Sequence, residues 1–116
     1  MDDWKTRMHD LKNEIRVLNK AIPETTKAFG GLSKSVHDAE VLDLKTKEYI
    51  AIGIALVQDC EDCLGWHVEQ LIRAGGTREE LAEVLAMGIQ MGGGPALMTA
   101  ARALAAWDQM TAEEGA

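Results

Sequence analysis

The sequence predicts an all-α protein, and three observations support this prediction. Apolar residues make up 47% of the chain, but there is only one Phe and one Tyr, and Ala, Leu, Ile and Met, which favour helices over strands, provide much of the rest. Apolar residues recur at helical spacing in successive segments, and no segment shows the alternation of a strand. Gly or Pro separates most of these segments. We therefore expect a bundle of roughly six helices.

The first three predicted helices are delimited by a proline and an aspartate. Trp4 begins an apolar pattern at i, i+4 and i+7, which is typical of an amphipathic helix. Pro23 ends that helix and suits the first turn of the second. Asp43 is the predicted N-cap of the third helix. Residues 49–57 of that helix are apolar almost all round, as expected of a buried central helix.

The last three predicted helices are separated by glycines. The fourth helix begins near Cys60 and ends at Gly75-Gly76. Thr77-Arg78-Glu79-Glu80 has the pattern of a capping box and opens the fifth helix. Gly92-Gly93-Gly94 interrupts the chain, and Pro95 opens the sixth helix.

Composition and charge exclude several classes of protein. Lys and Arg number 12 and Asp and Glu number 19, so the net charge is −7. An acidic chain without a basic stripe argues against nucleic-acid binding and against anionic membrane surfaces. No apolar run approaches the roughly 20 residues of a membrane span, and the charged N-terminus lacks a secretory signal. We expect residues 1–116 to form a single domain of a cytoplasmic protein.

Cys60, Cys63 and His67 carry the strongest chemical signal. The two cysteines are the only ones in the chain, they are spaced C-x-x-C, and on a helix Cys63 and His67 share a face. Glu48 lies on the preceding helix, and an antiparallel hairpin would bring it beside His67. A histidine oriented by a carboxylate takes the proton of a thiol, and the thiolate is the reactive form. The four residues predict dithiol–disulfide chemistry with a proton relay, and no cofactor is expected.

Zinc binding is the main alternative to thiol chemistry. Cys60, Cys63 and His67 supply three ligands at feasible spacing, and a nearby carboxylate would complete a tetrahedron. Structural zinc sites usually use two separated ligand pairs, whereas His9 and His37 are isolated and expected at the surface. A non-catalytic helical oligomer with a structural C-x-x-C is a further alternative.

The methionines and tryptophans are expected to pack rather than to bind a substrate. Met87, Met91 and Met98 recur at helical spacing and are predicted to fill the core. Trp4 and Trp107 lie near the ends of the chain, where we expect apolar surface that subunit contacts would cover.

Glu48-x11-Cys60-x2-Cys63-x3-His67 resembles the core motif of the AhpD-like alkylhydroperoxidases, within the carboxymuconolactone decarboxylase superfamily. The segment 44–48 and the segment 74–80 are also similar to the superfamily's pattern, and the likeness covers residues 20–110. The resemblance implies an AhpD-like helical fold that forms a homo-oligomer, a trimer or a hexamer, with the active site near the subunit contact.

The same resemblance implies a thiol-dependent oxidoreductase with antioxidant activity. Such an enzyme reduces hydroperoxides, or exchanges dithiol for disulfide with a lipoyl-type or thioredoxin-like reductant. Cys63 would be the attacking thiolate, Cys60 the resolving thiol, and Glu48 and His67 the relay. Asp62 stands where the peroxidases of the family have a histidine, and an anionic neighbour opposes thiolate formation. We therefore expect dithiol exchange more than peroxide turnover. The remaining alternative is acid–base chemistry by Glu48 and His67 on a small carbonyl compound.

Overall fold

The computed structural model describes residues 3–112, which contain six α-helices and no strand. The helices are α1 (Trp4–Ala21), α2 (Pro23–Asp38), α3 (Leu44–Val57), α4 (Glu61–Arg73), α5 (Arg78–Gly92) and α6 (Gly94–Thr111). The predicted all-α fold class is confirmed. Within the described part of the chain, no helix is long and apolar enough to cross a membrane.

The helix starts follow from local chemistry in the sequence. The Asp43 carboxylate accepts a hydrogen bond from the backbone N–H of Thr46 at 2.8 Å and so caps α3. Thr77 caps α5 in the same way. Pro23 lies in the first turn of α2, where its missing N–H costs nothing.

The core lies mainly between the last four helices, and Trp4 and Met8 of α1 complete it. α3 packs against α4 and α5, and α6 closes the arrangement across α4 and α5. Four side chains at the centre, Ile52, Leu64, Leu71 and Leu81, are fully buried. Burial of one such side chain contributes about 1.5–3 kcal/mol to stability, so this interior fixes how α3 and α4 lie against each other.

The tryptophans fill the core, and the expectation about the methionines is wrong. Trp4 and Trp107 are only 4% and 8% exposed, so the exposed apolar surface of this protein lies elsewhere. Met87, Met91 and Met98 are 63%, 73% and 70% exposed. The buried stripe of α5 consists of Leu81, Leu85 and Gly88, which leaves its methionines on the outward face.

α2 stands apart from the core. None of its residues is buried, and it packs mainly against α1. Phe29, Leu32 and Val36 are exposed along it. A second apolar surface, a groove between α3 and α5, is lined by side chains that include Ile54 and Met87. The trimer or hexamer implied by the family resemblance would cover surfaces of this kind, and it stays a prediction.

Gly65 allows α1 to cross closely over α4. A Cβ atom at this position would lie 2.5 Å from the Trp4 ring and 2.8 Å from Cε of Met8. Since both side chains are buried, they have little room to move aside. The absence of a side chain at Gly65 therefore sets the distance between the two helices.

We predict that Gly65→Ala lowers the free energy of unfolding by about 1–3 kcal/mol, because it overpacks this crossing. The matched control is Gly53→Ala in α3, where a Cβ atom would meet only Val84, at 4.0 Å. That variant should gain up to about 1 kcal/mol from helix propensity. Urea unfolding measures both, and a Gly65→Ala protein as stable as the native one would contradict the packing argument.

Candidate functional site

The turn between α3 and α4 is fixed by the backbone conformation of Asp59 and by two hydrogen bonds. Asp59 has a φ of 59°, in the left-handed region that aspartate tolerates better than most residues. Its Oδ1 accepts a hydrogen bond of 2.5 Å from Oγ1 of Thr99 on α6, and Thr99 is buried. The backbone N–H of Cys60 donates to the carbonyl of Ala55 at 3.1 Å. The first residue of the C-x-x-C therefore has a defined position, which sequence reasoning did not identify.

Cys60 and Cys63 are joined by a disulfide, with their Cα atoms 5.2 Å apart. Cys60 is the N-cap of α4, and its Sγ accepts from the backbone N–H of Cys63 at 3.2 Å. Cys63 is exposed, whereas Cys60 is partly buried. The free N–H groups and the dipole of a helix N-terminus stabilise a thiolate. Reduction of this disulfide would therefore free two sulfurs at the start of a helix, and that of Cys63 is the more exposed of the two.

Glu48 and His67 meet across the α3–α4 hairpin. Nδ1 of His67 lies 2.7 Å from Oε2 of Glu48, a short hydrogen-bond distance. The Glu48 residue is 4% exposed, and a buried carboxylate is costly without a partner. Cys63 and His67 are one turn apart on α4, so they share a face. The carboxylate can thus orient an imidazole that lies on the same face as the exposed sulfur.

His37 is a third residue near this pair, and the expectation that it is isolated is wrong. Its Nε2 lies 3.8 Å from Oε1 of Glu48. The contact arises because the end of α2 lies beside the start of α3, where the ammonium of Lys47 donates to the carbonyl of Val36 at 2.7 Å. His37 is separated from the motif along the chain, and only its proximity to the Lys47-Glu48 segment in space reveals it.

Arg7 lies beside the two acidic residues that separate the cysteines. Its Nε donates to Asp62 at 3.0 Å and its Nη1 to Glu61 at 3.1 Å, while the guanidinium stacks 4.4 Å from the centre of the Trp4 ring. Burial opposes the charged form, but the two carboxylates outweigh it and raise the pKa of Arg7 above its ordinary value. The negative charge of Asp62 is thus partly compensated. No local signal connects Arg7 to a motif more than 50 positions away.

The alternative zinc site would require a different state of the motif. Among residues 3–112, no three His, Cys, Asp or Glu side chains are grouped as metal ligands. Cys60 and Cys63 are bonded to each other, so they could serve with His67 as ligands only after reduction.

Comparison with known proteins identifies relatives over most of the chain. The model of the carboxymuconolactone decarboxylase family matches residues 23–106. An uncharacterised protein of Cupriavidus necator is 41% identical over 110 residues, 95% of this chain and 97% of that one. An uncharacterised protein of the cox locus of Paracoccus denitrificans is 37% identical over 83 residues, 72% of this chain and 75% of that one.

Two solved structures share the fold. A carboxymuconolactone decarboxylase family protein from Legionella pneumophila has a TM-score of 0.90 and 37% identity, covering 97% of this chain and 100% of the other. A family member from Thermotoga maritima, for which an involvement in the antioxidative response has been suggested, has a TM-score of 0.81 and 25% identity. It covers 90% of this chain and 89% of the other.

We predict that Arg7→Gln slows alkylation of the reduced Cys63 thiol about threefold at neutral pH, because Glu61 and Asp62 would then act uncompensated on the thiolate. Asp62→Asn should instead accelerate the alkylation of Cys63, because it removes a negative charge that opposes the thiolate. Peptide mass spectrometry after timed iodoacetamide treatment measures the rate at Cys63 alone.

The matched control for this prediction is Arg16→Gln, since Arg16 is exposed and donates to Asn13 of its own helix. The Arg16 variant should react like the native protein. Equal rates for the Arg7 and Arg16 variants would show that Arg7 does not influence the motif.

Proposed function

The chain belongs to the carboxymuconolactone decarboxylase family, and we propose that it is a thiol-dependent oxidoreductase of that family. The observation that carries the proposal is the position of the Cys60–Cys63 disulfide at a helix N-terminus, one turn before the Glu48–His67 pair. A disulfide that served only to stabilise the fold would not require a buried acid–base pair such as Glu48 and His67 beside it. The reaction we propose first is dithiol–disulfide exchange.

The oxidised chain would be reduced by an external dithiol of lipoyl or thioredoxin type. One partner thiolate attacks Sγ of Cys63, the exposed sulfur, and the bond to Cys60 breaks. Cys60 leaves as a thiolate and takes up a proton. The second partner thiol then attacks the partner's own sulfur in the mixed disulfide and releases Cys63. The partner closes its disulfide, and the chain gains two electrons and two protons.

The reduced chain would act through Cys63. The thiol proton passes to His67, and the resulting imidazolium is stabilised by the Glu48 carboxylate at 2.7 Å. The Cys63 thiolate attacks a substrate disulfide, and the substrate sulfur leaves with a proton. Cys60 then attacks Cys63 in the mixed disulfide, which restores the Cys60–Cys63 bond and releases the second substrate thiol. Cys60 thus serves as the resolving thiol.

Hydroperoxide reduction is the more specific activity that we propose for the same residues. The Cys63 thiolate attacks the terminal peroxide oxygen, and the O–O bond breaks. The alkoxide takes a proton from His67 and leaves as an alcohol, while Cys63 becomes a sulfenic acid. Attack by Cys60 forms the disulfide and releases water. Arg7 supports this step because it compensates Asp62, the charge that disfavours the thiolate.

We predict that reduced native protein loses two thiols per chain when it is treated either with oxidised lipoic acid or with tert-butyl hydroperoxide. Cys60→Ser lacks the resolving thiol, so with the hydroperoxide it should stop at a sulfenic acid on Cys63. Cys63→Ser should form neither the sulfenic acid nor the disulfide. Thiol counting and intact mass spectrometry measure these outcomes.

Each reagent in this experiment decides one activity. Persistence of both thiols with oxidised lipoic acid would contradict lipoyl-type exchange, and their persistence with the hydroperoxide would contradict peroxide reduction. Turnover of either reagent by the Cys63→Ser variant would show that the attacking sulfur was assigned wrongly.

A further inference from the structure

We propose that His37 is a positioning and proton-carrying partner of Glu48, so that the relay consists of two imidazoles sharing one carboxylate. His37 is not part of the C-x-x-C motif. The inference rests on the proposed function, because it assigns His37 a part in supplying and removing the protons of thiol exchange. Its role is exerted through Glu48, and it does not require contact with a substrate.

The geometry gives each oxygen of the Glu48 carboxylate its own histidine. Oε2 pairs with Nδ1 of His67 at 2.7 Å, and Oε1 faces Nε2 of His37 at 3.8 Å. The longer distance exceeds an N–H···O hydrogen bond by about 1 Å and is too short for a bridging water. A small rotation of the half-exposed His37 ring would therefore close a direct hydrogen bond.

The backbone that carries His37 is held in place by a residue next to Glu48. The ammonium of Lys47 donates to the carbonyl of Val36 at 2.7 Å and also to the carbonyl of Ala39. These two carbonyls flank His37 along the chain. α2 buries none of its residues, so this polar contact, rather than core packing, keeps His37 against the start of α3.

His37 gives the buried carboxylate a route to water. The Glu48 side chain is 5% exposed and that of His37 is 49% exposed. A proton taken by His67 can pass from Nδ1 to Oε2 of the carboxylate. Rotation of the carboxyl group then presents this proton to Nε2 of His37, and Nδ1 of His37 releases a proton to water. Protons needed for reduction of the disulfide would follow the reverse path. Imidazole suits this role because its two nitrogens exchange donor and acceptor roles near neutral pH.

The charges around His37 favour this path. On α3, Glu48 faces the ring, and the neighbouring Lys47 places a positive charge at the end of α2. On α4, His67 lies beyond the carboxylate. On α2 itself, Lys34 and Asp38 pair with each other and largely cancel. Glu48 is therefore the one negative group in this set that is available to hold a proton for His37.

The test compares three variants in exchange with oxidised lipoic acid, measured against pH and against imidazole concentration. His37→Leu should be about 10-fold slower than the native chain, a smaller loss than the roughly 100-fold typical of the acid–base group itself. Added imidazole should restore its rate, since His37 is half exposed. His37→Gln keeps an N–H donor but cannot carry a proton, so it should also be slow and should also be rescued.

His9→Leu is the matched control, because His9 is a surface histidine of α1 with a 75% exposed side chain. It should retain the native rate, the native pH profile and independence of imidazole. A native rate and pH profile in His37→Leu would overturn the proposal. A native rate in His37→Gln without imidazole would reduce His37 to a purely positioning role and overturn its proton transfer.

A second readout separates this inference from the proposed function. If the native chain does not exchange with oxidised lipoic acid, the proposed exchange function is contradicted, whereas the coupling of His37 to Glu48 is not. Nitrogen-15 spectra of the imidazoles still test the shared carboxylate in that case. Glu48→Gln should shift the resonances of both His37 and His67. A shift confined to His67 would show that His37 is not coupled to Glu48.

Discussion

An ionised carboxylate inside a helical core costs several kcal/mol unless hydrogen bonds and opposite charge replace the water that it loses. Glu48 is such a carboxylate, 4% exposed on α3, and its partner His67 comes from α4. The pairing fixes which turn of α4 lies beside which turn of α3. The C-x-x-C follows the same constraint, since Cys63 is one turn from His67. The location of the Cys63 sulfur and the register of the hairpin therefore depend on the same interaction.

The two N-terminal helices supply charge to this hairpin. α1 brings Arg7 to Glu61 and Asp62, and packs Trp4 over Gly65. α2 brings His37 towards Glu48, although it contributes nothing to the core. The segment of the chain before the motif thus adjusts the electrostatics on both sides of it. Asp62 places a negative charge beside Cys63, and Arg7 partly compensates it.

Much of the fold could be predicted because its signals are local. Pro23, Asp43 and Thr77 define helix starts by the chemistry of one turn, and the glycines between α5 and α6 define a break. The pairing of Glu48 with His67 could also be predicted, because a short turn between two helices leaves few arrangements other than an antiparallel hairpin. The exposed methionines were predicted wrongly, since helical spacing alone does not tell which face of α5 meets the core.

Arg7, His37 and Thr99 could not be assigned to the site from sequence. Each reaches it from a helix other than α3 and α4, and the contacts of Arg7 and Thr99 span 55 and 40 positions of sequence. Their roles depend on how α1, α2 and α6 pack. The apolar periodicity of the sequence does not predict which individual side chains of these helices come into contact. The candidate residues of the motif could therefore be found from local sequence patterns, whereas Arg7, His37 and Thr99 could not.

We infer that the buried carboxylate of Glu48 is kept for reactivity at Cys63. The most direct test is the rate at which reduced protein forms its disulfide with oxidised lipoic acid, compared between the native chain and Glu48→Gln. We predict a rate about 100-fold lower in the variant, with an unchanged number of thiols and no loss of unfolding free energy, because a buried charge has been removed. Equal rates would contradict the account.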